Sequence, residues 1–254
     1  MADEVRKMLN KKTKEAKPTP LVTTPENLQN KTPFTIVEAY KSIRVRLLSA
    51  LSEINGKTFV VSSPFAADGK STNAINLAIT FSHLNKKILL IDADNRRASI
   101  HKKLKMDNEK GCMDVLLGEA TFEEAVKPYN SYLDVLTAGS SVANPSELFS
   151  SPEFDETLAN LKKIYDYIVI DTPPINLVSD SLVLAQKADG IVIVAKAKVT
   201  TYRAFRSTVE SVKALNIKIL GTILNGIDNN RNKYYKSKYG KYGRYNNYYY
   251  YSKY

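Results

Sequence analysis

Short apolar runs, continuous rather than alternating, recur along this chain: TFVV at 58–61, ILLID at 88–92, LDVL at 133–136, YIVID at 167–171, IVIVA at 191–195 and KILGTIL at 218–224. A strand with one wet face alternates apolar and polar residues. A continuous apolar strand needs cover on both faces, as in a parallel sheet held between helices. Helix-forming stretches lie between the runs at 71–84, 114–117, 153–164, 180–186 and 202–215, and another precedes them at 36–51. In that first helix Ile43, Leu47 and Leu51 fall at i, i+4 and i+8, one apolar face of an amphipathic helix. The order predicts an α/β fold, a doubly wound and mostly parallel sheet flanked by helices. Ligands then belong at the carboxyl ends of the strands.

Charge divides the chain into three. Seven Lys/Arg against four Asp/Glu lie in residues 1–33, and seven against none in residues 229–254, so most of the net charge of +11 sits in the two extensions. The centre is close to neutral, which argues against a nucleic-acid-binding core and leaves the extensions to meet acidic surfaces. Four prolines and little apolar periodicity make residues 1–33 an N-terminal arm. Residues 34–228 form one domain, and residues 229–254 a disordered, low-complexity tail of Tyr, Lys, Asn, Gly and Ser. The single cysteine, Cys112, cannot close an internal disulfide, and two scattered histidines do not make a zinc site. No run of about 18 apolar residues offers a membrane span, so a cytoplasmic protein is expected.

Three of the strands end in chemistry. SSPFAADGKST follows TFVV and opens a helix, the setting in which backbone N–H groups, a lysine ammonium and a hydroxyl converge on phosphate. Gly69, Lys70 and Ser71 fill the last three positions of the P-loop pattern and Thr72 follows, while Pro64 stands where the pattern's first glycine belongs. A plainer reading makes Ser71 a helix N-cap. ILLIDADNR places Asp92 and Asp94 at the tip of a second strand, where they can bind hydrated magnesium and take a proton from a hydroxyl. YIVIDTPP places Asp171 at the tip of a third, as a Walker B carboxylate holding the metal through water.

The ordered set EAYKSIR, GKST, LLIDADNR, VIDTPP and a tyrosine-rich terminus resembles the bacterial tyrosine kinase family, in particular the kinase subunit of Gram-positive capsular and exopolysaccharide systems. The resemblance spans residues 34–254. It implies a P-loop NTPase fold and ATP-dependent tyrosine phosphorylation with magnesium. Asp68, Gly69, Lys70, Ser71 and Thr72 would bind nucleotide, with Lys70 on the β- and γ-phosphates. Ser71, Asp94 and Asp171 would hold the metal, Asp92 would be the general base, and Arg96 would balance charge nearby. The family's loop usually reads Pro-Gly-Glu-Gly-Lys-Ser, against Ala66-Ala67-Asp68-Gly69-Lys70-Ser71 here, so a residue that resists positive φ replaces a glycine. Partition and division-site ATPases carry an extra lysine four positions before the loop's last glycine, where this chain has Phe65.

The resemblance also implies a ring-like homo-oligomer joined through Glu38, Lys41 and Arg44, which share a helical face at three-residue steps. Its phosphoacceptors would be Tyr234, Tyr235, Tyr239, Tyr242, Tyr245, Tyr248, Tyr249, Tyr250, Tyr251 and Tyr254, modified between subunits. Partners would be the cytoplasmic segment of a membrane adaptor, which recruits the kinase to the inner face of the membrane, and protein tyrosine substrates. Two other readings stay open: a partition-type P-loop ATPase, and a catalytically weak scaffold of the polysaccharide machinery. A basic aromatic tail can also stack on single-stranded nucleic acid, but the neutral core continues no basic groove, so no specific nucleic acid is expected.

Overall fold

The computed structural model describes residues 34–227. The arm, Asp228 and the tail with its ten candidate phosphoacceptors lie outside them. The elements in chain order are α1 (Phe34–Ser52), β1 (Thr58–Ser62), α2 (Lys70–Ser82), β2 (Ile88–Asp92), α3 (Ile100–Leu104), α4 (Cys112–Leu116), α5 (Phe122–Ala125), β3 (Val126–Asn130) and β4 (Leu133–Leu136). There follow α6 (Pro145–Ser150), α7 (Pro152–Ile164), β5 (Tyr167–Asp171), α8 (Asp180–Lys187), β6 (Gly190–Lys196), α9 (Tyr202–Ala214) and β7 (Ile219–Asn225).

Seven strands form one sheet in the order β3-β4-β2-β5-β1-β6-β7. Only the β3–β4 pair is antiparallel. The parallel strands are buried as their composition requires. In β1, Phe59 and Val61 face a core with α1 and α2, while Val60 faces the opposite core, into which α7, α8 and α9 pack. At about 25 cal/mol per Å², the large side chains at zero exposure, such as Phe59, Phe81 and Phe149, each contribute on the order of 2–3 kcal/mol. Helix α1 seats Leu47 and Leu51 fully and Ile43 partly, and Tyr40 Oη donates to Asn73 Oδ1 at 3.0 Å, which fastens it to α2.

The sheet order matters for chemistry because β5 lies between β1 and β2. The three strands that carry the P-loop, the aspartate pair and Asp171 are therefore immediate neighbours, and all three end on the same edge. The pairing of β3 with β4 was not expected. β3 contains Pro128, which removes a ladder N–H, and such a strand survives only at an edge, where it also carries an irregularity between Pro128 and Asn130. Helices α3, α5 and α6, of five, four and six residues, were likewise unforeseen, being too short for periodicity to show.

Candidate active site

The P-loop is built by the residues between β1 and α2. Gly69 takes φ +102°, and α2 begins at the next residue with Gly69 as N-cap and no side-chain cap. Ser71 is thus inside the helix and not its cap, so the N–H groups of the first turn keep their inward donors for an anion. A Cβ on Gly69 would come within 2.1 Å of Asn225 Nδ2, so only glycine fits. Ala67 adopts φ +66°, the left-handed conformation it was expected to resist, at a cost of roughly 1 kcal/mol.

The loop is held there by side chains from three directions. Asp68, wholly buried, accepts the N–H of Phe65 at 3.1 Å through Oδ2 and the hydroxyl of Thr200 at 2.9 Å through Oδ1. Asn225 Nδ2 donates to the Asp68 carbonyl at 2.9 Å, and Lys196 Nζ reaches the Ala67 carbonyl at 3.5 Å. Thr200 lies four residues beyond the end of β6, the neighbour of β1, and Asn225 ends β7, the next strand out. Sequence reading did not assign Thr200, because its partner is 132 residues away. Asn225, the last residue of β7, braces the loop through its side-chain amide.

Lys70, Asp94 and Asp171 meet across this edge. Lys70 Nζ donates to Asp94 Oδ2 at 2.5 Å and to Ser71 Oγ at 3.2 Å, and lies 3.9 Å from Asp171 Oδ1. Burial alone would lower the Lys70 pKa, but the charges of Asp171, Asp94 and Asp92 outweigh it and hold the ammonium protonated. Asp171 is fully buried, and among the described residues neither of its oxygens accepts a hydrogen bond. Burial pushes its pKa up to about 6, against the pull of Lys70.

Asp92 sits one strand away and organises the β2–α3 connection. Its Oδ2 accepts the N–H groups of Ile100 at 3.0 Å and Ser99 at 3.2 Å, and its Oδ1 accepts that of Asp94 at 3.2 Å. Burial, and then the like charge of Asp171, push its pKa up to about 7. Arg96 does not turn into this cluster: its Nε donates to Asp180 Oδ2 at 3.1 Å, tying the same connection to the start of α8. Thr72 follows Ser71 in the first turn of α2.

Glu38, Lys41 and Arg44 lie on α1, yet two of their contacts are internal. Lys41 Nζ meets Glu38 Oε1 at 2.8 Å, and Arg44 Nη1 donates to the Thr80 carbonyl at 2.6 Å near the end of α2. The Nε of Arg44 is buried without a partner among the described residues.

The site fits a magnesium nucleotide. A buried carboxylate with no hydrogen bond, a buried lysine and a hydroxyl lie by a loop with uncapped helix N–H groups, the kinds of group that a triphosphate and its metal need. Among the described residues no ready-made cluster of three or more metal-binding side chains exists.

The sequence and fold are similar to those of known proteins. The AAA domain family profile matches residues 58–221. The tyrosine-protein kinase YwqD of Bacillus subtilis is 37% identical over 190 residues, 74% of this chain and 80% of that protein. The putative tyrosine-protein kinase CapB of Staphylococcus aureus is 33% identical over 85% of this chain and 95% of its own length. The putative tyrosine-protein kinase EpsB of Ralstonia solanacearum is 33% identical over 80% of this chain, which is 28% of that longer protein. Among solved structures, the kinase domain of Escherichia coli tyrosine kinase ETK superposes with a TM-score of 0.74 at 26% identity, covering 90% of this chain and 87% of that one. The chimerical protein CapA2B2 gives 0.73 at 27%, covering 88% and 98%.

Proposed function

The chain belongs to the bacterial tyrosine-protein kinases, and from that premise we propose that it transfers the γ-phosphoryl group of ATP to tyrosines, including those of its own tail, in a system that makes or exports capsular or exopolysaccharide. The carrying observation is the convergence of Lys70, Asp94 and Asp171 from three adjacent strand ends, with Lys70 Nζ 2.5 Å from one carboxylate and 3.9 Å from the other.

In the transfer, the tyrosine oxygen forms a bond to the γ-phosphorus as the bond from that phosphorus to the β–γ bridging oxygen breaks, releasing ADP. A phenol of pKa about 10 is neutral at pH 7, so its proton needs an acceptor. Asp92, with a pKa raised toward neutrality, is matched to that role. The Lys70 ammonium balances charge on the β- and γ-phosphates, and the first-turn N–H groups of α2 cradle them. Magnesium would be held by Ser71, Asp94 and Asp171, the last two through water, and would neutralise phosphate charge. Lys70 must release Asp94 when the triphosphate enters, an exchange of partners for a flexible side chain.

The same reading makes the chain a ring-like homo-oligomer that presents each tail to the next subunit through Glu38, Lys41 and Arg44. It also assigns a membrane adaptor whose cytoplasmic segment recruits the kinase to the membrane. Among the described residues no helix is long and apolar enough to cross a membrane. Phe65 stands where partition ATPases have a lysine, and it offers no ammonium to a partner's phosphate.

Incubation of the full chain with ATP and magnesium, followed by mass-spectrometric mapping of phosphotyrosine in wild type and Lys70→Met, tests the reading. Phosphate on the tail of the wild type alone supports it. ATP hydrolysis without phosphotyrosine would replace it with an ATPase, and neither product with a scaffold.

A further inference from the structure

A cavity of about 550 Å³ opens beside the P-loop, between Phe65, the β5–α8 connection at Ile175 and the first turns of α9. Its lining combines the apolar Phe65, Ile175 and Ala204 with Arg203 and the hydroxyl-bearing Thr201 and Ser207. No carboxylate lines it. An aromatic ring that carries an anion matches that lining, since the ring suits the apolar side chains and the anion the guanidinium and hydroxyl donors. Helix α9 runs for 13 residues from its Thr201 cap, and Thr201 lines the cavity, so the positive end of the helix dipole lies at the cavity.

The chain itself supplies such a group within reach. The Ala197 N–H donates to the Asn225 carbonyl at 2.8 Å, so the chain leaves β7 beside the loop that opens α9. Tyr234 is seven residues beyond Ile227, a span of about 23 Å when extended. The unmodified segment 229–254 has seven cations and no acid, and Arg203 repels it. Each phosphoryl group adds about −1.5 to −2 charges and reverses that local preference.

We propose that this cavity is a phosphotyrosine site, which takes a modified tyrosine of the chain's own 228–254 segment after transfer and holds the product beside the transfer site rather than in it. The idea rests on the tail being a phosphoacceptor. It gives the reaction a direction: the acceptor is drawn to the P-loop edge when bare and parked on α9 when modified, which frees the transfer site for the next tyrosine.

The test uses phosphatase-treated full chain without nucleotide, titrated with a synthetic peptide of residues 241–254 carrying phosphate on Tyr248 or none. The phosphopeptide should bind at least about tenfold tighter than the bare one, and Arg203→Gln should remove most of that difference. Arg206→Gln, which takes the same charge from the same helix but whose Nε pairs with Glu210 at 2.7 Å outside the cavity, should leave it intact. Equal binding of both peptides, an equal effect of the two arginine changes, or displacement of the phosphopeptide by ATP and magnesium would each overturn the proposal. Because the phosphate is synthetic, a chain that fails to phosphorylate itself would still bind the peptide, so failure of the kinase reading registers separately. Self-association that increases on tail phosphorylation would overturn the assignment to the chain's own tail and give the cavity to a second copy.

Discussion

Asp92 and Asp171 stand directly opposite each other on the adjacent parallel strands β2 and β5, both wholly buried. Burial raises the pKa of both, and at Asp92 the like charge of Asp171 raises it further. The register is fixed by the apolar runs before them, since Ile88, Leu90 and Ile91 pair with Tyr167, Val169 and Ile170. Core packing thereby sets the charge density of the site.

A linkage effect follows from that pair. Both are acids whose folded pKa lies above the ordinary value near 4, so the nucleotide-free fold holds more protons than the unfolded chain between about 4 and the folded values. Their contribution to stability is greatest below about pH 4 and is lost as the pH rises through about 6 to 7. Bound magnesium nucleotide favours the ionised forms. Binding should therefore release protons and tighten from pH 5.5 to 7.5, read by calorimetry in buffers of different ionisation enthalpy. Proton uptake on binding would contradict it.

Lys70→Met should separate charge balance from packing. With the ammonium gone, Asp94 and Asp171 are left buried without a countercharge, and breaking a buried pair costs about 3–5 kcal/mol. The carboxyls escape part of that cost by protonating, so the stability deficit should be larger at pH 8 than at pH 5.5 in urea denaturation. A deficit independent of pH would mean that lost packing dominates.

Ala67→Gly should stabilise the P-loop. Its φ of +66° costs alanine roughly 1 kcal/mol that glycine does not incur, partly offset by the greater freedom of glycine in the unfolded chain. A gain of about 0.5 kcal/mol in thermal unfolding is expected, with unchanged or tighter nucleotide binding. Gly69→Ala should do the reverse, losing about 2 kcal/mol or more, since its Cβ meets Asn225 at 2.1 Å and its φ is +102°.

What the sequence disclosed was whatever is encoded locally. Asp92, Asp94, Asp171 and Lys70 each sit at the end of an apolar run or in a loop with its own signature, so their placement followed once the fold class was known. The mate of Asp68 could not be read this way. Thr200 follows β6, and only the sheet order, with β6 beside β1, brings it to the P-loop. The same holds for α3, whose start is set by Asp92 accepting the N–H groups of Ser99 and Ile100 and not by any cap in its own sequence. On α1 the three-residue spacing correctly put Glu38, Lys41 and Arg44 on a helix, but spacing could not show that Arg44 is engaged by the end of α2.

Thr200→Val and Asn225→Ala test whether the β6 and β7 ends set the loop that grips phosphate. Each removes one hydrogen bond to Asp68, worth about 1 kcal/mol, and Thr200→Val also leaves the Lys196 N–H without its acceptor. Neither residue donates to the triphosphate in the proposed arrangement, so the loss should fall mainly on nucleotide affinity, a rise in KM for ATP of about fivefold for each, with kcat less affected. Because both bonds restrain one residue, the double variant should be non-additive, losing less than the sum of the two. Strict additivity, or a fall in kcat with KM unchanged, would show that they act independently or on the transfer step itself.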